Sequence, residues 1–178
     1  MKTVTDKTTD ANVETECKGQ PMLFQDIGER KVVVDFCGGH LSSDGGALLL
    51  RQIDNGLGVS RGLAECFSDW RDPRFVEHGL VELLAQRIQG LALGYEDLND
   101  HNELRRDPLL ALCAGKSDVL GEKRAEADRG KAMAGASTLN RLELGNNRNG
   151  RYHKISHEEE KIAAHLLELG VRILPRDT

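Results

Sequence analysis

The clearest pattern of apolar and polar positions in the chain is that of an amphipathic helix. Over residues 76–93, the positions spaced three and four apart are mostly leucine or isoleucine, which is typical of one buried helical face. The positions predicted to face inward are Leu80, Leu83, Leu84, Arg87, Ile88 and Leu91. The polar residues Glu77, Glu82, Gln86 and Gln89 are predicted to lie on the outer face. We expect this segment to be the longest helix, with its leucines in the core.

The pattern continues into residues 91–116 as two short helices with a break between them. Asp107 suits the N-cap position and Pro108 the first helical position, and an apolar run follows them up to Gly115. The break therefore falls at Arg105 and Arg106, where the two helices meet. The leucines after the break, Leu109, Leu110 and Leu112, are predicted to be core residues together with those of the 76–93 helix.

One strand is predicted, at residues 31–36, where three consecutive valines and a phenylalanine follow a lysine. A run this apolar needs cover on both faces, and the sequence offers few other strands to pair with it. The fold class is therefore mainly α: a multi-helix domain with a short β segment near residues 22–36.

Composition divides the chain into five parts. Residues 1–20 are polar and rich in threonine, so they cannot bury enough apolar surface to offset the entropy cost of ordering, and we expect a disordered tail. Residues 122–136 are charged, with hardly any large apolar group. A short helix capped by Ser137 and a tail helix at 155–169 follow. The predicted parts are a tail (1–20), a β segment (21–40), a helical core (41–116), a charged loop or exposed helix (117–136) and a helical C-terminal part (137–178).

Charge and cysteine usage exclude some classes of protein. The net charge of -5 argues against a uniformly basic nucleic-acid binder, although binding depends on where the basic residues cluster. Aromatic residues make up 4%, too few for an RNA-stacking platform. The four cysteines have no CxxC spacing and are expected to be reduced. No signal peptide or bilayer-length apolar run is evident, so we expect a soluble, cytoplasmic protein with no membrane partner.

An acidic corner at Asp97, Asp100 and His101 could suggest a metal or acid–base site, because these residues are spaced to share a helix face. Such clusters are more often solvated or capping faces, and Asp97 or Asn99 could cap the local helix. We therefore favour the structural interpretation and predict no metal ligands and no catalytic residues here.

Four stretches of the sequence resemble one family. They are GGHLSSDGGALLLRQID at 38–54, SDWRDPRFVEHGLVELLAQRIQGLALGYEDLNDHNELRRDPLLALCAGK at 68–116, ASTLNRLE at 136–143 and RYHKI at 151–155. Together they resemble the N-terminal region of bacterial insertion-sequence transposases of the DDE type. The LALGYEDLNDH and LRRDPLLAL segments are long and distinctive, and the resemblance covers most of the chain after residue 20.

The resemblance implies a ribonuclease-H-like catalytic domain in which three carboxylates bind two divalent ions, usually Mg²⁺, for phosphodiester transfer. The family's first catalytic aspartate lies in a strand similar to LDLDATDD, after a helix like that at 155–169. None of the three carboxylates can be matched to this chain, and Asp177 lacks an apolar strand around it. We therefore expect a truncated DDE transposase that is inactive alone and holds no cofactor itself. The strand at 31–36 would then pair with the missing catalytic sheet.

A transposase must bind the DNA ends of its insertion sequence, and arginine can hold a phosphate through two hydrogen bonds. The candidate DNA-contacting residues are Arg105, Arg106, Arg141, Arg148, Arg151 and Lys154. Arg148 and Arg151 are favoured, since they lie in a basic segment with no acidic residue. Each could instead be an ordinary solvated charge or a helix-end partner of Glu103 or Glu143. Two other functions stay open: a non-catalytic helical module that binds a protein or its own copies, and a small metal hydrolase built on the acidic corner.

Overall fold

A computed structural model of the chain describes residues 22–34, 41–145 and 154–174. Helices dominate these ranges, and the strands form two small two-stranded sheets, which confirms the mainly α class. In chain order the elements are β1 (Met22–Ile27), β2 (Arg30–Val34), α1 (Ala47–Leu57), α2 (Val59–Ala64), β3 (Phe67–Asp69), α3 (Leu80–Ala92), α4 (His101–Leu104), α5 (Pro108–Cys113), α6 (Ala136–Glu143), β4 (Ile155–His157) and α7 (Glu159–Ile173). The predicted tail at 1–20 lies outside the described residues.

The valine-rich strand has a partner, contrary to the prediction. β1 and β2 pair antiparallel, with Leu23 opposite Val33 and Phe24 opposite Val32. Gly28 lies between them at a φ of 63°, a left-handed conformation that glycine adopts without strain and that permits a tight hairpin turn. The apolar patch before this turn supplies the second strand, so no missing sheet is needed to explain the first.

Helix α3 is the centre of the fold because it contributes to two separate hydrophobic clusters. It packs against α1, α2, α5 and α6. One cluster joins α3 to the hairpin, α1 and α5, and its buried members include Val32, Leu48, Ala85, Leu110 and Met133. The other joins α3 to α2, α6 and β4, and its buried members are Leu83, Leu84, Ala134, Leu139, Leu142 and Ile155. Cover from several sides explains why α3 is buried over most of its length, although Leu91 near its end is 47% exposed.

The predicted helix start at Asp107 is confirmed. Its carboxylate accepts hydrogen bonds from the backbone N–H groups of Leu109 and Leu110, at 2.8 and 3.1 Å, and Pro108 occupies the first helical position. Asp97 likewise caps the 3₁₀ turn Leu98–Asp100 by accepting from the Asn99 N–H at 2.8 Å. These caps turn the chain twice between α3 and α5 and place Arg105 and Arg106 at the α4–α5 junction, as expected.

The C-terminal part differs from the prediction in three ways. Helix α6 begins at Ala136, after Gly135, without a cap from the Ser137 side chain. Residues 155–157 form β4, which pairs antiparallel with β3, and the tail helix therefore begins only at Glu159. The charged segment before α6 is not wholly exposed, because Met133 and its neighbours Ala132 and Ala134 are buried.

Two further observations concern predictions made from composition. Cys66 and Cys113 are free, buried thiols, and burial raises the pKa of Cys113 to about 11, whereas Cys17 and Cys37 lie outside the described residues. No helix in the described ranges combines the length and apolar character needed to cross a membrane.

Candidate nucleic-acid interface

Helix α6 presents one polar face to solvent. Leu139 and Leu142 are buried against the second cluster, while Ser137, Asn140 and Arg141 are exposed. The three exposed residues are spaced three and four apart, so they lie on the same side of the helix. Hydroxyl, amide and guanidinium groups are the ones that commonly contact DNA phosphates and base edges.

Arg105 lies at the beginning of α6, although it belongs to the α4–α5 junction. Its backbone carbonyl accepts a hydrogen bond from the Met133 N–H at 3.2 Å. Its guanidinium donates to the Asn102 carbonyl at 3.1 Å and packs so closely on Gly135 that a Cβ there would be 3.0 Å from Nη1. Arg106 is more exposed and forms only a loose ion pair with Glu103, at 3.9 Å.

The other end of α6 packs on β4. Gly145, just after the helix, lies against the Ile155 carbonyl and leaves no room for a side chain. Lys154 precedes Ile155, is exposed, and accepts a hydrogen bond on its carbonyl from the Trp70 N–H at 2.7 Å. The eight residues of α6, about 12 Å of helix, therefore connect the region of Arg105 to the region of Arg141 and Lys154.

Arg148 and Arg151, the favoured candidates from the sequence, lie outside the described residues. The two residues belong to the segment that joins α6 to β4, whose two ends are both described. The described residues that flank it are Gly145 and Lys154.

A cleft of about 720 Å³ opens between α6 and the turn that follows α3. Its polar lining includes Asp97, Asn99 and Asn102 on one side and Ser137 and Asn140 on the other. The Asn102 side chain crosses the cleft by accepting a hydrogen bond from the Ala136 N–H at 3.2 Å. Ser137 and Asn140 of the exposed face of α6 thus lie in one wall of a polar depression whose lining also includes the capping carboxylate of Asp97.

Arg87 at the back of the cleft fixes the two walls relative to each other. Arg87 as a whole is only 9% exposed, and its guanidinium donates to the carbonyls of Tyr95 and Glu96 at 3.0 and 2.9 Å. It also forms an ion pair with Glu143, the last residue of α6. The Tyr95 hydroxyl extends this network by donating to the Asp44 carboxylate at 3.1 Å. Burial is the main cause of a raised pKa of Tyr95, and the Asp44 carboxylate adds to it.

Two residues of the acidic corner, Asp97 and His101, occupy different environments. His101 is 1% exposed, with Nδ1 3.2 Å from the Gln86 side chain, whereas the Asp97 carboxylate is a cap at the surface. Burial, helped by the charge of Arg87, lowers the pKa of His101 from 6.5 to about 4. Among the described residues, no group of three or more His, Cys, Asp or Glu side chains could hold a metal ion. The predicted capping role of Asp97 is confirmed.

The sequence pattern misplaced two side chains of α3. Gln86 and Gln89, expected on an outer face, are 6% and 4% exposed. Gln86 donates to the Ala134 carbonyl at 2.7 Å and accepts from the Ala134 N–H at 3.0 Å, so its amide pairs with the backbone as a strand would. Gln89 donates to the Cys113 carbonyl at 3.1 Å. These bonds satisfy buried backbone groups at Ala134, in the loop before α6, and at the C-terminal end of α5.

Comparison with known proteins agrees with the resemblance in the sequence. A family model described as "Transposase DDE domain group 1" matches residues 24–169, which is more than four fifths of the chain. No curated protein matches the chain, and no solved structure matches it.

Proposed function

The chain belongs to the DDE transposase family, in the group 1 transposase DDE domains, and we propose that it contributes DNA binding to transposition at the ends of an insertion sequence. The observation that carries the proposal is the exposed face of α6, formed by Ser137, Asn140 and Arg141. In this proposal Asn140 and Arg141 contact DNA, because an asparagine amide pairs with adenine and an arginine fork pairs with guanine or phosphate.

The remaining candidate residues would contact the DNA backbone on either side of the α6 face. Arg105 and Arg106 lie beyond one end of α6 and Lys154 beyond the other, and Arg148 and Arg151 belong to the connecting segment. Phosphate contacts at both ends would fix the register of the helix, while base contacts would come from its centre. A net charge of -5 is compatible with this arrangement because phosphate contacts depend on local positive charge.

Salt-dependent binding tests the proposal most directly. The dissociation constant for a mixed-sequence duplex is measured by fluorescence anisotropy at several salt concentrations. Each phosphate contact contributes about 0.9 to the slope of log affinity against log salt, so Arg141→Gln is expected to reduce the slope by about that amount. Lys123→Gln removes one exposed charge elsewhere and is the matched control. Equal effects of the two substitutions, or no retention of DNA at low salt, would contradict the proposal.

We also propose that the described residues bind DNA without cutting it. Of the three acidic residues that line the cleft, Asp97 caps a 3₁₀ turn and Glu143 pairs with Arg87, which leaves only the Glu96 carboxylate without a hydrogen bond or ion pair to the described residues. The carboxylates that hold Mg²⁺ in the family would then have to come from outside the described residues. Incubation of the pure protein with supercoiled plasmid and Mg²⁺ is expected to yield no nicked product. Nicking that disappears in Asp97→Ala would instead support the metal-hydrolase alternative.

A second candidate function is self-association through α7. The large apolar residues toward the end of this helix, Leu166, Leu167, Val171 and Ile173, are each more than half exposed. Its first turn is acidic and its last turn holds Arg172, so two copies packed antiparallel would place opposite charges together. Light scattering after size-exclusion chromatography tests this candidate, because Leu167→Glu should convert a dimer to a monomer. A monomeric wild-type protein at high concentration would exclude it.

A further inference from the structure

A small cavity lies where α1 ends and α2 begins, away from the surfaces already considered. Its volume is about 70 Å³, several times the ~10–15 Å³ that one water requires. The side chains that line it include Arg51, Asp54 and Asn55 from α1 and Ser60 and Arg61 from α2. The cavity is therefore polar and large enough for a group bigger than water.

Two hydrogen-bond donors of this cavity are buried without a partner among the described residues. They are the Ser60 hydroxyl and the Arg51 Nε–H group. Ser60 as a whole is only 2% exposed. A buried donor without an acceptor is unfavourable, so native proteins nearly always satisfy such groups with protein, water or a ligand. Arg51 and Ser60 both line the same cavity, and one acceptor group with several oxygens could satisfy both donors.

The charges around the cavity favour an anion. Asp54 is the acidic residue of the lining, and its carboxylate is already engaged by the Ser60 N–H at 2.7 Å and by Arg51 Nη1 at 3.5 Å. Arg51 and Arg61 outnumber it. A third arginine, Arg172 of α7, donates at 3.4 Å to the carbonyl of Leu57, which precedes Gly58 of the lining.

We propose that Arg51, Ser60 and Arg61 form a binding site for a phosphate group. Arg51 Nε–H and Ser60 Oγ–H donate to two of its oxygens, and Arg61, which is exposed, covers it from the solvent side. Asp54 is a positioning residue that orients Arg51 and the Ser60 backbone. The phosphate could be a backbone phosphate of DNA or free inorganic phosphate, since both present the same oxygens. The site stands on the cavity and its donors, and it does not require the role proposed for α6.

The site is tested by titrating inorganic phosphate into the full chain and measuring the backbone amide NMR shifts of Ser60 and Arg61. A parallel titration with chloride at the same ionic strength is the reference. Saturable shifts with phosphate alone are expected. Arg61→Gln, at an exposed position that leaves the core intact, should weaken binding about tenfold, and Ser60→Ala should do the same. Arg129→Gln, an equal loss of charge at an exposed position outside both proposed surfaces, should leave binding unchanged. Identical responses to phosphate and chloride, or full binding by Arg61→Gln, would show a cavity filled only by water and overturn the proposal.

Duplex DNA provides the second arm of the experiment. If the ligand is a DNA phosphate, Arg61→Gln reduces the salt slope of DNA binding by about 0.9 and free phosphate competes with the duplex. If phosphate binding is lost in Arg61→Gln while DNA binding is unchanged, the site takes free phosphate. If the wild-type chain does not bind DNA at all, the role of α6 fails but the phosphate titration still decides this proposal.

Discussion

Replacement of Arg87 by glutamine tests whether one buried guanidinium positions helix α6. The substitution removes the charge and shortens the side chain, so the carbonyls of Tyr95 and Glu96 lose their donors and Glu143 loses its ion-pair partner. Hydrogen bonds from a charged donor contribute roughly 1.5–3 kcal/mol each, and breaking a buried pair costs about 3–5 kcal/mol. The Glu143 side chain is 38% exposed and can be rehydrated, so its share is under about 1 kcal/mol.

The lower end of the hydrogen-bond range gives an expected loss for Arg87→Gln of about 3 kcal/mol in the free energy of unfolding, most of it from the two carbonyls. Urea denaturation followed by circular dichroism at 222 nm measures it, and for a chain of this size the melting temperature should fall by roughly 6–12 °C. Glu143→Gln is the matched control, because it breaks the ion pair while Arg87 keeps both carbonyls, and it should cost about 1 kcal/mol or less.

A double-mutant cycle between Arg87 and Glu143 separates the two contributions. The reasoning requires a small coupling energy, about 1 kcal/mol, because the carbonyl bonds do not depend on Glu143. A coupling energy that accounts for most of the Arg87→Gln loss would refute the claim that the carbonyls dominate. A loss no larger than that of Glu143→Gln would refute the claim that Arg87 holds the cleft together.

Three other predictions concern stability and are measured by the same denaturation assay. The folded-state pKa of His101, about 4, lies below its ordinary 6.5, so the unfolded chain binds more protons between these values. His101 should contribute about 2 kcal/mol to the fall in stability from pH 7 to pH 5, and His101→Leu should remove that contribution while leaving the one from His78, whose pKa burial lowers to about 3. Gly90→Ala should destabilise the protein by about 1–3 kcal/mol, because the new Cβ would lie 2.8 Å from His101 Cε1. The control Gly56→Ala, in open space on α1, should be neutral or stabilising by up to ~1 kcal/mol. Destabilisation of equal size by both substitutions would contradict this steric account. Asp107→Ala should cost about 1–2 kcal/mol through loss of two capping bonds, and an unchanged urea midpoint would show that the cap contributes nothing.

The sequence predicted features that depend on neighbouring residues and missed those that depend on distant ones. The α5 start at Asp107 followed from a cap and a proline in adjacent positions, and the break at Arg105 followed from that start. Gln86 was predicted to lie on the outer face because polar side chains are usually exposed. It is buried because it bonds to Ala134, which is 48 residues away in the sequence. Helical periodicity contains no information about such a partner. The hairpin was missed for a related reason, since the apolar patch before Gly28 is too short to suggest a strand without its partner.

The candidate DNA surface was predictable only in part. Residue type identified Arg105, Arg106, Arg141 and Lys154, but it could not show that α6 connects their positions. Arg87 was predicted to face inward with the leucines, and that prediction is confirmed. Its role was not predicted, because three acceptors from two distant segments converge on its guanidinium only in the folded chain.

The contacts between the stretches that carry the family resemblance separate structural residues from functional ones. Tyr95 of the LALGYEDLNDH stretch bonds to Asp44 of the LSSDGG stretch, and Arg87 bonds to Glu143 of the ASTLNRLE stretch. These residues have a sufficient reason to be present in the packing of the fold alone. Arg141, in the same ASTLNRLE stretch, projects into solvent and makes no side-chain hydrogen bond to the described residues that would explain it structurally. Its exposure is the reason that DNA binding is tested there, because substitution at Arg141 can change affinity without first changing stability.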